Sequence, residues 1–133
     1  MGQNEVTLVD TSSWIEALRL NGQQDIRERV KLLLIDGLAA WCDMVAVELW
    51  NGARGDYEKN RLAELEKEIV CLPTTDEVWS GARELARKSR NAGHTIPPAD
   101  LIIASCAICH GIKIEHCDTH LDVIMSIHKK SYR

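Results

Sequence analysis

Phenylalanine is absent from the 133 residues, and two tyrosines and four tryptophans make up all the aromatic content. The aromatic share of any core therefore falls mostly on Trp14, Trp41, Trp50 and Trp79. One or two of these are expected at a protein interface, where Trp is enriched. Long hydrophobic runs are missing too, and none approaches the length of a bilayer-crossing helix, which argues against a membrane protein. The N-terminus has no basic head followed by an apolar stretch, so no signal peptide is expected. The five cysteines are an odd count with no export signal beside them, and they read as reduced thiols in a cytoplasmic protein. A basic excess is lacking. The net charge of −4 argues against a general nucleic-acid coat protein, while local basic stripes can still bind phosphates. Repeats, low-complexity tracts and linkers are absent, and the length suits one domain over residues 1–133 with a single core.

What is present is an ordinary globular composition, 45% apolar and 27% charged, patterned as short strands between helices. Val6 to Val9 is a β-prone run that stops at Asp10, and Trp14 to Leu20 is a short helix capped by Ser12 or Ser13. Ile26, Val30, Leu33 and Leu34 mark a second helix that stops around Asp36-Gly37. Leu38 to Trp41 reads as a strand, and Asp43 as the cap of a helix through Met44 to Ala53. Asp56 to Glu68 is a solvated helix with Leu62, Leu65 and Ile69 inward, followed by a strand at Val70 to Leu72. Thr75 or Asp76 opens a longer helix that ends by Ala92-Gly93. After the loop His94 to Pro97, the helix from Pro98 to about His110 is apolar nearly all round and therefore buried. Ile112 to Cys117 is a last strand closing on Asp118, and Thr119 to Ile127 is helical. Strands alternating with helices predict an α/β fold, three layers α/β/α about a mainly parallel sheet.

Four acids stand out by position. Asp10 and Asp118 end strands, where open α/β sheets bind their ligands. Glu48 has Met44, Val45, Asn51 and Gly52 at i±3 and i±4, so it shares a helix face with apolar and small residues. Asp100 heads the stripe Ile103, Ala104, Ala107 from the first turn of the buried helix. Taken singly, each has a plainer reading: a helix cap for Asp10, a surface residue for Glu48, an acid favoured by the helix dipole for Asp100. Asp122 competes with Asp118, which is preferred because it directly follows the strand. If the strand ends converge, the four charges repel one another and a divalent cation is the natural counter-charge. Such a site activates water and stabilises charge on a phosphodiester.

These residues carry a family resemblance. Val9-Asp10-Thr11-Ser12, Val47-Glu48-Leu49 with Gly52, Pro98-Ala99-Asp100-Leu101-Ile102-Ile103-Ala104 and Cys117-Asp118 resemble the motifs of PIN domains. More narrowly, they resemble VapC-type toxins of bacterial and archaeal toxin–antitoxin pairs. The resemblance implies a ribonuclease in which Asp10, Glu48, Asp100 and Asp118 hold Mg²⁺ or Mn²⁺ and a metal-activated water cuts RNA. It also implies a homodimer and a VapB-like antitoxin. The antitoxin would lay an apolar face on Trp14, Leu18 and Trp50 and bring an Arg toward the four acids. Thr11 and Ser12 are placed to hydrogen-bond a ligand or phosphate. Arg83, Arg87 and Arg90, with Lys88 beside them, form a basic stripe that either contacts RNA or is a solvated face with a Glu84–Lys88 pair. Two positions depart from the family pattern. His116 stands where a Thr or Ser usually steadies the site, and His120 stands where relatives often have an acid. An imidazole there favours Mn²⁺ over Mg²⁺.

Rival readings have weaker support. A phosphoacceptor receiver domain needs paired acids after the first strand and a Lys after a late one, and neither is present. A non-catalytic interaction domain on the same fold is separated from the enzyme only by activity. Cys106-Ala107-Ile108-Cys109-His110 matches the c-type haem string, but it falls in a helix expected to be buried, without an export signal, so no haem is expected. A zinc site from Cys106, Cys109, His116 and Cys117 ranks below the plain reading of Cys106 and Cys109 as small core residues.

Overall fold

The computed structural model describes residues 5–131. They run β1 (Thr7–Val9), α1 (Thr11–Leu18), α2 (Gln24–Ile35), β2 (Ala39–Cys42), α3 (Asp43–Gly52), α4 (Gly55–Glu68), β3 (Val70–Leu72), α5 (Asp76–Asn91), α6 (Pro98–His110), β4 (Lys113–Glu115) and α7 (Thr119–Ser131). The strands pair in parallel in the order β3-β2-β1-β4. Right-handed crossovers then assign the layers. The steps β1 to β2 and β2 to β3 go the same way along the sheet, so α1 to α4 belong to one face. The step from β3 to β4 runs back across, which puts α5 and α6 on the other, where α7 joins them. This is the expected three-layer α/β/α arrangement about a parallel sheet. Because β1 feeds β2 on one side and pairs with β4 on the other, the strand order reverses between β1 and β4, and the carboxyl ends at such a reversal are where open α/β sheets bind ligands.

The core explains the apolar excess of α6. Ile103, Cys106 and Ala107 face the sheet among Leu8, Val9, Ala40 and Cys42, while Leu101, Ile102 and Ala104 pack with Ala82 and Leu85 of α5 and Leu121 and Ile124 of α7. A helix covered on both sides has no polar face to present, as its sequence required. Close approach of α5 to α6 depends on Gly81. A Cβ there would lie 2.5 Å from Ser105 Oγ, whose hydroxyl donates to the Val78 carbonyl at 2.6 Å. On the other face Trp14 and Trp41 meet edge to face, with ring centroids 6.1 Å apart, joining α1 to β2.

Several local expectations are corrected. Helix α1 starts at Thr11, and its cap is Asp10 rather than Ser12 or Ser13, because the Asp10 side chain accepts the Ser12 N–H. It ends at Leu18 rather than Leu20. Cys42 rather than Asp43 is the N-cap of α3. Strand β4 covers only Lys113–Glu115, since the N–H of Cys117 turns away to Ser12 Oγ at 3.1 Å. Helix α7 runs four residues past Ile127, to Ser131. Trp14 and Trp41 are buried, but Trp50 and Trp79 are 37% and 44% exposed, so two of the four tryptophans are surface residues. Cys106 is in the core, whereas Cys109 is exposed, with its thiol near the Glu77 carbonyl.

Candidate metal centre

The end of β1, the turn after β4, the head of α6 and the middle of α3 carry the four expected acids within electrostatic reach of Asp100. Asp10 leaves β1 with its N–H bonded to the Glu115 carbonyl at 2.9 Å, and it is 2% exposed. Its Oδ2 accepts the Ser12 N–H at 3.0 Å and the Ser12 hydroxyl at 2.6 Å. Its Oδ1 is buried and has no hydrogen-bond partner among the described residues. Capping and ligation are thus not alternatives for Asp10, because one oxygen does the first and the other is uncommitted. A bare carboxylate oxygen in the interior is costly, and a cation is the partner that would offset the cost.

Glu48, half-buried on α3, accepts the Thr11 hydroxyl at 2.6 Å. Asp100 sits in the first turn of α6 with a side chain 13% exposed. Burial pushes its carboxyl up to about 6, the charges of Asp118, Asp10 and Glu48 add to this, and only His120 opposes them. The four acids therefore share one electrostatic environment. The tightest donor set is nevertheless Asp100, Asp118 and His120, whose ligand atoms lie within 4.8 Å of one another, with Asp10 and Glu48 outside it. His120 Nδ1 is 3.3 Å from Asp100 Oδ2 and 3.5 Å from Asp118 Oδ1. The donor set is mostly hard oxygen with one imidazole nitrogen, and it fits Mg²⁺ or Mn²⁺.

The two histidines that flank Asp118 have different positions. His116 Nδ1 accepts the Asp118 N–H at 3.3 Å, and its Nε2 lies 3.6 Å from Asp122. It therefore steadies the backbone of the fourth acid and turns its other nitrogen toward Asp122. His120 is in the cluster itself. The only sequence signal for it was its spacing, two residues after Asp118. Glu115 had no signal at all. Beneath the site, Arg29 grips it through Nε at 3.0 Å and Nη2 at 3.1 Å, and the Ser13 hydroxyl adds a bond at 3.3 Å.

The residues expected at substrate or partner lie as follows. Thr11 and Ser12 direct their hydroxyl protons to Glu48 and Asp10. Arg83 and Arg87 are exposed on α5; Arg87 is bonded to Glu84 at 2.7 Å, and neither makes an ion pair with the four acids among the described residues. Of the expected groove floor, Trp14 is fully buried, and the Trp50 indole N–H goes to Glu66 at 2.9 Å, toward α4. Leu18 does line a groove of about 300 Å³, but with Ile15, Leu49, Ala53 and Leu62, and Glu48 is part of its wall. The haem-like string lies inside α6, where His110 Nε2 is 2.9 Å from the Pro73 carbonyl.

Comparison with known proteins agrees with this arrangement. The PIN domain matches residues 7–125. Ribonuclease VapC11 of Mycobacterium tuberculosis is 36% identical over 124 residues, covering 90% of this chain and 92% of the relative. Among solved structures, VapBC-1 from nontypeable Haemophilus influenzae superposes with a TM-score of 0.71 at 19% identity, over 90% of this chain and 92% of that one. FitAcB from Neisseria gonorrhoeae gives 0.70 at 21% identity, over 89% and 92%. At those identities the solved structures speak for the fold, while the family match and the mycobacterial relative speak for descent. The chain belongs to the PIN-domain family and, within it, to the VapC ribonucleases.

Proposed function

We propose that this protein is a divalent-metal-dependent RNA endonuclease, the toxin of a VapBC-type pair, with Asp10, Glu48, Asp100 and Asp118 holding Mg²⁺ or Mn²⁺. The supporting observation is the bare, buried Oδ1 of Asp10, beside an Asp100 that feels the charges of all three other acids. When bound, the cation supplies water activation and charge stabilisation at phosphorus. The chain's own residues do the positioning. Ser12 and Thr11 each hold one oxygen of Asp10 and Glu48, so the carboxylates are oriented before a cation arrives. Arg83 and Arg87 are the cations on offer to RNA phosphates beyond the pocket.

The reading takes residues 1–133 as one PIN-like domain acting in the cytoplasm as a homodimer; no described helix is long and apolar enough to cross a membrane. Its partner is a VapB-like antitoxin. The groove of Ile15, Leu18, Leu49, Ala53 and Leu62 suits an apolar helix face, and Glu48 at its wall leads an Arg from that segment toward the acids. The purified protein is expected to cut RNA with Mn²⁺ or Mg²⁺ and to stop on chelation, to sediment as a dimer, and to bind its antitoxin less tightly as Mn²⁺ rises. Cleavage indifferent to chelator overturns the catalytic reading.

A further inference from the structure

We propose that His120 is itself a metal ligand through Nδ1 and sets the preference of the site for Mn²⁺ over Mg²⁺. The inference rests on the metal-centre reading above and goes beyond the four acids. His120 Nδ1 stands between two carboxylate oxygens from different elements, at 3.3 Å from Asp100 Oδ2 and 3.5 Å from Asp118 Oδ1. Both contacts are longer than the roughly 2.7–2.9 Å of a charge-assisted N–H···O bond, so they are ion-pair contacts and not tight hydrogen bonds. Three donor atoms from three side chains, all within 4.8 Å of one another, have the spacing that a single cation would bridge.

The backbone that carries the imidazole is also held in place. The His120 N–H donates to Asp118 Oδ1 at 2.7 Å, making residues 118 and 120 one rigid turn at the start of α7. One residue on, Leu121 is fully buried against α6, as is Ile124 a turn later, so the helix start is anchored. His116 does not compete for the role, because its Nδ1 accepts from the Asp118 N–H and its Nε2 faces Asp122. An imidazole nitrogen is a softer donor than oxygen. Mg²⁺ takes oxygen and gives up water reluctantly, whereas Mn²⁺ binds imidazole and carboxylate together and lies on the Irving–Williams series. A histidine at position 120 thus adds no negative charge to the site and gives it selectivity for a transition metal.

The test is spectroscopic as well as thermodynamic. Electron spin-echo modulation of the Mn²⁺-loaded protein is expected to show ¹⁴N coupling, retained in His116→Gln and lost in His120→Asp. By calorimetry, His120→Asp should lower the ratio of Mn²⁺ to Mg²⁺ affinity about tenfold or more, the size usual for losing a group at a metal site. If Mn²⁺ binds the native protein with no nitrogen coupling, His120 is only a counter-charge to the two acids, and the inference is overturned while the metal centre stands. If Mn²⁺ does not bind at all, both fall.

Discussion

Ser12 donates its hydroxyl proton to Asp10 Oδ2 at 2.6 Å, and the same hydroxyl oxygen accepts the N–H of Cys117 at 3.1 Å. One small side chain thus ties the end of β1 to the loop that follows β4, across the point where the strand order reverses. It orients Asp10 and sets the position from which Asp118 and His120 depart. Ser12→Ala is expected to remain folded and to bind Mn²⁺ about 10–100-fold more weakly, as loss of an orienting partner does at metal sites. Calorimetry beside circular dichroism checks both halves, and unchanged affinity would leave Ser12 only the role of tying β1 to the loop after β4.

Asp100→Asn keeps shape and removes one of the clustered charges. Metal-dependent RNA cleavage is expected to disappear. The metal-free variant should melt higher than the metal-free native protein, since like-charge repulsion and burial of a carboxylate are both relieved. Adding Mn²⁺ should reverse that ranking, because the native protein gains more from a ligand that binds only the folded state. Paired melting curves with and without Mn²⁺ decide it.

The pH dependence follows from the same residue. Asp100 is raised from 3.8 to about 6 in the fold, so it holds a proton more tightly folded than unfolded. The stability it contributes is therefore full below its unfolded value of 3.8 and lost as pH rises through about 6. Cation binding has the opposite sign, because it requires the ionised form. Across that window the metal-free melting temperature should lose this contribution while the Mn²⁺-induced increment grows. An increment that does not change with pH would contradict the assignment.

Gly81→Ala tests the packing that carries Asp100. A methyl group placed 2.5 Å from Ser105 Oγ must push α5 from α6 or break the Ser105–Val78 bond. Overpacking of this kind costs about 1–3 kcal/mol, to be read by denaturant unfolding. A neutral substitution would show that α5 and α6 can separate freely.

The two helical cysteines should behave differently. Cys106→Ala removes a fully buried side chain and is expected to cost about 1–2 kcal/mol, while Cys109→Ala, at an exposed position, should stay within about 0.5 kcal/mol. Both variants should retain metal-dependent cleavage.

The alternation of strands and helices, the burial of α6 and the placing of Asp10, Asp100 and Asp118 near element ends were legible in the sequence because they are written in local terms: periodicity, caps and breakers within a few residues of one another. The cap of α1 was not, since Asp10, Ser12 and Ser13 are all good capping residues. The choice among them follows from Asp10 bonding to Glu115 and Ser12 to Cys117, more than a hundred positions away. The same separation hid Glu115 under the grip of Arg29, 86 residues distant. Helical phase put Glu48 beside apolar and small residues but could not tell that Trp50 points to Glu66, nor that Trp14 belongs to the core and not to the groove. His120 was visible only as an odd residue near an acid. Its nitrogen becomes a third donor beside Asp100 and Asp118 because parallel pairing sets Val9 beside Glu115 and so brings the β4–α7 turn to the end of β1 and the head of α6. Local sequence chose the elements and the chemical groups, and strand register, a sum of long-range hydrogen bonds and packing that no short segment encodes, decided which groups meet.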